Sequence, residues 1–271
     1  GICFGMLFKI FDKLDAENYS FKDSILQFLL IGFLFFWMMI TRNVALAAIG
    51  ILAVFFIYRK KFLEAGASVV GFGVFYFLYK LALKFIWKID GSQFASQSKL
   101  MFQKDAYQPQ LGNENFTGFI NRFLENCQIY ISSRFYYVLG FREEMSANNS
   151  ILTLFSIGLL LWSLFLMHKK KQYVLIFTTL FFSGLLATTF ISLHTSWGQT
   201  RLIMIFLPFI LFNFFYLFYY YGKEFIFLQY AFPFVFLILF FTSITATLKQ
   251  ASERFPVFVE NMTGDATYGY T

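Results

Sequence analysis

The sequence predicts an all-α integral membrane protein of about seven transmembrane helices, with one large extracytoplasmic loop that carries an amphipathic interfacial helix. Three observations predict it. Of 271 residues, 58% are hydrophobic and 14% are Asp, Glu, Lys or Arg, where a soluble domain carries about 25% charged residues. The apolar residues form long runs separated by short polar breaks. The breaks also sort by charge: Tyr58-Arg59-Lys60-Lys61 and His168-Lys169-Lys170-Lys171 alternate with Thr41-Arg42-Asn43 and His194–Arg201.

A bilayer-spanning helix needs about 20 mostly apolar residues. The runs place spans at Ser24–Ile40, Val44–Tyr58, Ala67–Trp87, Ile151–Met167, Tyr173–Ser192, Leu202–Tyr220 and Phe225–Thr247. Helices are expected because backbone groups in lipid must be satisfied internally. Barrel strands would alternate in polarity every second residue, and these runs do not. Lys9, Lys13 and Lys22 before the first span, and the basic ends after the second, fourth and sixth, fall on one side under seven spans. The positive-inside rule makes that side cytoplasmic. The other side receives Thr41–Asn43, the segment Lys88–Ser150, His194–Arg201 and the tail from Leu248. The formal charge of +7 is therefore a topology signal, and no nucleic-acid partner is implied.

The Lys88–Ser150 segment is too long for a plain connector. Its first half, to Asn113, reads as irregular. From Phe116 to Leu139, apolar residues recur at helical spacing, with Asn121, Arg122, Glu125, Asn126 and Gln128 on the other face. Gly140 is placed as a C-cap, and the helix is expected on the outer membrane surface; a helix packed on the protein's own loop is the equal alternative. Cys3 and Cys127 fall on opposite sides of the bilayer and are not expected to pair. The chain opens on Gly and ends within Gly264–Thr271, and reads as an internal piece of a longer protein.

Two polar turns stand out as candidate sites. Thr41-Arg42-Asn43 precedes a span of about 15 residues, roughly 22 Å of helix, against a hydrocarbon core of about 30 Å. That shortfall sinks Arg42 and Asn43 below the surface, where a guanidinium needs a carboxylate or phosphate partner; a snorkelling arginine at a tight hairpin is the plainer alternative. The turn from His194 to Arg201 gathers His194, Trp197, Gln199 and Arg201. Arg201 offers a planar fork for phosphate oxygens at a helix start that favours anions; an ordinary polar turn with one anchoring arginine is its alternative. Lys80 and Lys84, one turn apart, read as snorkelling cations, Pro208 as a kink, and Glu143 and Glu144 as surface acids. Asn18, Asn115, Asn148 and Asn261 open Asn-x-Ser/Thr matches. No Walker A, GxSxG, HExxH or CxxC pattern occurs. No metal ligand set and no cofactor are evident, and a divalent metal stays open.

The block Gly32–Lys61 (apolar span, Thr-Arg-Asn, short span, Tyr-Arg-Lys-Lys) resembles the GT-C-fold glycosyltransferases that use a polyprenyl-phosphate sugar donor. It is most similar to the bacterial relatives of protein mannosyltransferases and aminoarabinose transferases. Trp197-Gly198-Gln199-Thr200-Arg201-Leu202 before a proline-containing span is similar to their late Arg, apolar, Pro block, and Gly264-Asp265 to Gly269-Tyr270 looks like the start of an extracytoplasmic C-terminal region. The resemblance implies that residues 1–271 form a single GT-C-like transmembrane domain piece, with loop 88–150 and the start of a tail at 248–271. It implies a cell-envelope transferase of the bacterial inner (plasma) membrane. That enzyme would move a sugar from a polyprenyl-phosphate-linked donor to a glycan, lipid or protein acceptor at the extracytoplasmic face. Arg42 and Arg201 match motif positions and are expected to contact the donor phosphate. The family's catalytic acid lies in a first outer loop that has no match before Ser24, so the catalytic residue is unassigned. A polysaccharide polymerase or ligase, with its chemistry inside Lys88–Ser150, and a lipid-linked saccharide transporter are the competing expectations.

Overall fold

A computed structural model describes residues 2–14, 19–41, 45–86, 101–105, 108–142, 147–195 and 200–263. Every regular element among them is helical, apart from an isolated antiparallel bridge between Gln103 and Asn113. The helices are α1 (Ile2–Leu14), α2 (Phe21–Thr41), α3 (Ala45–Tyr58), α4 (Phe62–Phe85), a 3-10 turn (Pro109–Leu111), α5 (Phe116–Cys127), a π-helical run (Gln128–Arg134), α6 (Phe135–Val138), α7 (Ser150–Lys169), α8 (Tyr173–Ser192), α9 (Arg201–Gly222) and α10 (Ile226–Thr263). Six helices are long and apolar enough to cross a membrane: α2, α4, α7, α8, α9 and the part Ile226–Lys249 of α10. They fit an integral membrane protein. The span expected at Val44–Tyr58 is the shorter α3, 14 residues or about 21 Å of helix.

The chain divides into two compact units. The first comprises Gly1–Asn126 and Leu164–Trp197. Its main interface is α2 against α4. Phe28, Ile31, Gly32, Phe35, Phe36 and Met39 are buried on α2; Glu64, Ala65, Ser68, Gly71 and Phe72 are buried on α4. Both sets follow the three-and-four spacing of one helix face. The backbones meet at glycine: a Cβ on Gly32 would stand 2.5 Å from the Phe72 backbone N, and one on Gly71 2.7 Å from the Leu29 backbone O. Small residues at a helix crossing replace the missing hydrophobic drive in lipid with close van der Waals packing.

The sequence reading starts the third span at Ala67, whereas α4 starts at Phe62. An acid inside the first turn hid this start. Glu64 is buried and accepts a 2.8 Å hydrogen bond from the Tyr19 hydroxyl. Burial first, then that bond, holds the Tyr19 phenol above its ordinary range. Helix α1 was not anticipated either. It is too short to span, yet Leu7, Ile10, Phe11 and Leu14 are buried while Lys9, Asp12 and Lys13 stay out of the core. Phe11 packs on Phe55 and Phe177, ring centroids 4.9 and 5.2 Å away.

The loop helix α5 exposes its apolar stripe, as an interfacial helix does, but part of its polar face is buried. The stripe Phe116, Ile120 and Leu124 is exposed, whereas Arg122 and Asn126 are buried. Asn115 caps its start by accepting the Gly118 N–H at 2.7 Å.

The second unit comprises Cys127–Ser163 and Gly198–Thr271. Gly140 adopts φ +81 and closes α6 as expected: Phe141 N donates to Tyr136 O and Gly140 N to Tyr137 O. A Cβ there would lie 2.7 Å from the Thr242 carbonyl carbon on α10. Asn149 caps α7 through bonds from Ile151 N and Leu152 N. Inside the bundle, Ser163 Oγ donates to Asn213 Oδ1 at 2.9 Å, and Asn213 Nδ2 returns to Phe209 O. α9 continues through Pro208 as one helix. The last span, expected to end at Thr247, is the start of a helix that continues to Thr263. Where the hydropathy falls, the helical backbone does not stop, because exposed polar residues sustain a helix in water as well.

Candidate functional site

A polar hollow of about 320 Å³ lies in the first unit, beside the C-terminal end of α8. Two residues of α5 build it. Arg122 and Asn126 are one helical turn apart and share a face. Arg122, 5% exposed, donates through Nη1 to Met101 O at 2.9 Å and through Nη2 to Gln103 O at 2.8 Å. The same Nη2 pairs with Glu114 at 3.1 Å. That fork ties loop 101–114 to the helix, as a planar guanidinium can and an ammonium cannot. Backbone bonds from Lys104 N to Gly112 O and from Glu114 N to Phe102 O close the loop on itself.

Asn126 is fully buried and clamps the opposite wall. Its Nδ2 donates to Phe190 O at 2.8 Å and to Leu193 O at 2.7 Å. Those are carbonyls at the end of α8 and just past it, so the clamp satisfies acceptors that the helix end leaves open. It also fixes the turn that presents His194, which is 5% exposed, and Thr195.

The neighbours of these two anchors supply the chemistry. Asn121 and Glu125 line the hollow, together with Lys104, Asp105 and Glu114. Glu114 is engaged by Arg122; Glu125 makes no ion pair among the described residues. Two buried acceptors, Gln103 Oε1 and Asn126 Oδ1, have no hydrogen-bond partner among them. Neither residue is among those that line the hollow. Carboxylates, an amide, an ammonium and an imidazole around one small volume suit a hydroxyl-rich molecule, because each hydroxyl both donates and accepts. Pockets of this size are at the lower end for small ligands. No three His, Cys, Asp or Glu side chains among the described residues are placed to hold a metal ion.

Of the residues singled out from sequence, His194 is brought into the hollow. Arg201 is the first residue of α9, in the second unit, and is exposed. Arg42, Asn43, Trp197, Gln199, Glu143 and Glu144 lie outside the described residues. Lys80 and Lys84 are exposed towards the end of α4. Sequence reasoning assigned Arg122, Glu125 and Asn126 to a solvated helix face. The signal that marks them is an Arg and an Asn four residues apart, opposite an apolar stripe.

The second unit holds an apolar cavity of about 470 Å³ lined by α6, α7, α9 and α10, with Phe135, Leu159, Trp162, Phe215 and Leu239 in its wall. It offers lipid-like surface and little polar chemistry. Comparison with family models, curated proteins and solved structures found no match for this chain.

Proposed function

We propose that the chain is part of a membrane glycosyltransferase that moves a sugar from a polyprenyl-phosphate carrier to an acceptor at the extracytoplasmic face. The observation that carries the reading is the mixed-charge hollow around His194, built by the long loop at the end of a membrane-type helix. The basic-loop pattern assigns that end to the outer side. The hollow receives the hydroxyl-bearing part of the substrate. The Glu125 carboxylate takes the proton as the acceptor hydroxyl attacks the anomeric carbon. The carrier phosphate leaves; the family resemblance, not the geometry of the hollow, assigns its charge to Arg42 and Arg201, and guanidinium groups at such a step can contribute several kcal/mol.

A second reading has one observation in its favour. Seven of the hollow's lining residues, Lys104 to Glu125, belong to the Lys88–Ser150 segment, where a polysaccharide polymerase or ligase would carry its chemistry. The two readings differ in the donor, a monophosphate or a diphosphate carrier.

The test is sugar release from polyprenyl-phosphate sugar and from its diphosphate counterpart by the full-length protein. Glu125→Gln, His194→Gln, Arg42→Ala and Arg201→Ala are assayed alongside. Loss of release with Glu125→Gln and weakened donor binding with either arginine variant are expected. Wild-type rates in all four variants at limiting donor would end the glycosyltransferase reading. Activity on the diphosphate donor alone would transfer it to the polymerase class.

A further inference from the structure

At the opposite end of the first unit, two basic turns are built alike. After α3, Lys61 N donates to Phe56 O at 2.8 Å and Lys60 N to Ile57 O at 2.9 Å. After α7, Gln172 N donates to Met167 O and Lys171 N to His168 O, both at 3.0 Å. Each is a helix end closed by a residue in the left-handed region, Lys60 at φ 58 and Lys171 at φ 54. Glycine is the usual resident of that position; here it is lysine twice.

Side chains hold the two turns together. The Tyr58 hydroxyl and His168 Nδ1 hydrogen-bond to each other. The Arg59 guanidinium lies 3.5 Å from the centroid of the Tyr173 ring, at the start of α8. Arg59, Lys60 and Lys61 are thereby brought beside Lys169, Lys170 and Lys171. Among the described residues, Glu64 follows the first of these turns; it is buried and bonded by Tyr19. Helix dipoles alone do not account for the gathering, because backbone N–H groups already take the terminal carbonyls of both helices. Basic residues gathered beside membrane-type helices attract an anionic lipid surface.

We propose that the paired turns form a binding site for the phosphate headgroup of an anionic phospholipid. What selects a lipid over a free phosphate or an acidic soluble protein is the collar beside the cations. Phe62 and Leu63 follow Lys61 directly and are each 64% exposed, and Ile57 and Phe165 are exposed on the adjoining helices. A ligand that satisfies both surfaces has an anionic head and apolar tails. The tyrosines Tyr58 and Tyr173 sit at the junction, as interfacial aromatics do. The site is independent of the hollow around His194 and of any sugar chemistry.

The experiment uses the full-length protein in nanodiscs made of phosphatidylcholine with increasing phosphatidylglycerol, and reads the lipids retained on extraction by native mass spectrometry. Wild type is expected to retain phosphatidylglycerol about 10-fold over phosphatidylcholine, the order given by one to two lysines close to an anionic surface. The variant Lys60→Gln/Lys61→Gln/Lys170→Gln/Lys171→Gln should lose that preference. Arginine at the same four positions should keep it, which separates the effect of charge from that of the lysine side chain itself. Lys80→Gln/Lys84→Gln, at the far end of α4, should leave it unchanged. Equal retention of both lipids by wild type would overturn the proposal, as would a preference that survives in the four-glutamine variant with helicity intact. So would complete displacement of the lipid by millimolar inorganic phosphate.

Discussion

Replacing Gly32 by alanine tests whether the α2–α4 crossing is the organising contact of the first unit. The added Cβ would stand 2.5 Å from the Phe72 backbone N, where ordinary contact begins at 3.4 Å. Neither partner is a flexible side-chain end, so the helices themselves must part by nearly the difference. A gap of about 0.5–1 Å forfeits a quarter to a half of each contact's well, and a buried Leu-sized side chain makes about 40–60 contacts of about 0.1–0.2 kcal/mol each. Unseating one such residue therefore costs about 2 kcal/mol, within the range of about 1–3 kcal/mol for overpacked cores. Gly71→Ala should behave alike, since its Cβ would meet Leu29 O at 2.7 Å. Gly73, whose Cβ would meet nothing within 4 Å, is the control, and Gly73→Ala should be neutral or slightly stabilising through helix propensity. The assay is reversible unfolding in mixed micelles, followed by tryptophan fluorescence. A cost below about 0.5 kcal/mol for both Gly32→Ala and Gly71→Ala, the level of ordinary surface substitutions, would refute the close-crossing argument.

Three further outcomes are expected. Arg122→Lys keeps the charge but loses the fork to Met101 O, Gln103 O and Glu114. Hydrogen bonds to charged groups contribute about 1.5–3 kcal/mol each, so proteolysis within residues 101–114 should accelerate at least 10-fold with helicity unchanged. Unaltered cleavage would remove Arg122 from its anchoring role. Asn213→Ala removes the acceptor for Ser163 Oγ. The Ser163 hydroxyl also bonds Leu160 O, so unfolding in micelles should show a loss near the typical membrane value of about 0.6 kcal/mol rather than the larger soluble-core cost. Burial pushes the Cys127 thiol up to about 11. In a Cys3→Ser background its alkylation at pH 8 should run roughly 200-fold slower than that of a free thiol and rise about tenfold per pH unit up to about 11. Well below the ordinary thiol value of about 8.5, folded and unfolded thiols are both protonated and stability does not move. Between about 9 and 11 the unfolded chain ionises first, so the Cys127 contribution is lost over that window. Fast labelling at pH 8 would contradict the buried thiol.

The membrane-type helices were legible because lipid imposes length and composition together. The run Tyr173–Ser192 coincides with α8, which has no charged residue inside it to blur the ends. Its hydroxyls are hidden by bonding back along the helix, as with Thr178 to Val174 O and Thr189 to Leu185 O, so composition alone sufficed. Glu64 shows the converse: a single acid with a distant partner shifted a helix start by more than a turn. Gly140 was readable because its backbone conformation excludes most other residues. The π-helical run Gln128–Arg134 was not, because an i→i+5 ladder leaves no period that differs enough from 3.6 over seven residues. For the hollow, His194 was visible through the density of polar groups around it. Arg122 and Asn126 were not, because a helix with one polar and one apolar face does not say which face points inward. The partners that decide it, Phe190 O and Leu193 O, are backbone atoms more than sixty residues away.

The exposed apolar stripe and the buried polar anchors of α5 tie the wall around His194 to the choice of detergent. A micelle that leaves Phe116, Ile120 and Leu124 wet makes it favourable for the helix to roll about its axis. Rolling would draw the Arg122 fork and the Asn126 amide off their carbonyls without melting any helix. Proteolysis within residues 101–114 that speeds up on solubilisation and slows on return to a bilayer, at constant circular dichroism, would be the mark of that rotation rather than of unfolding.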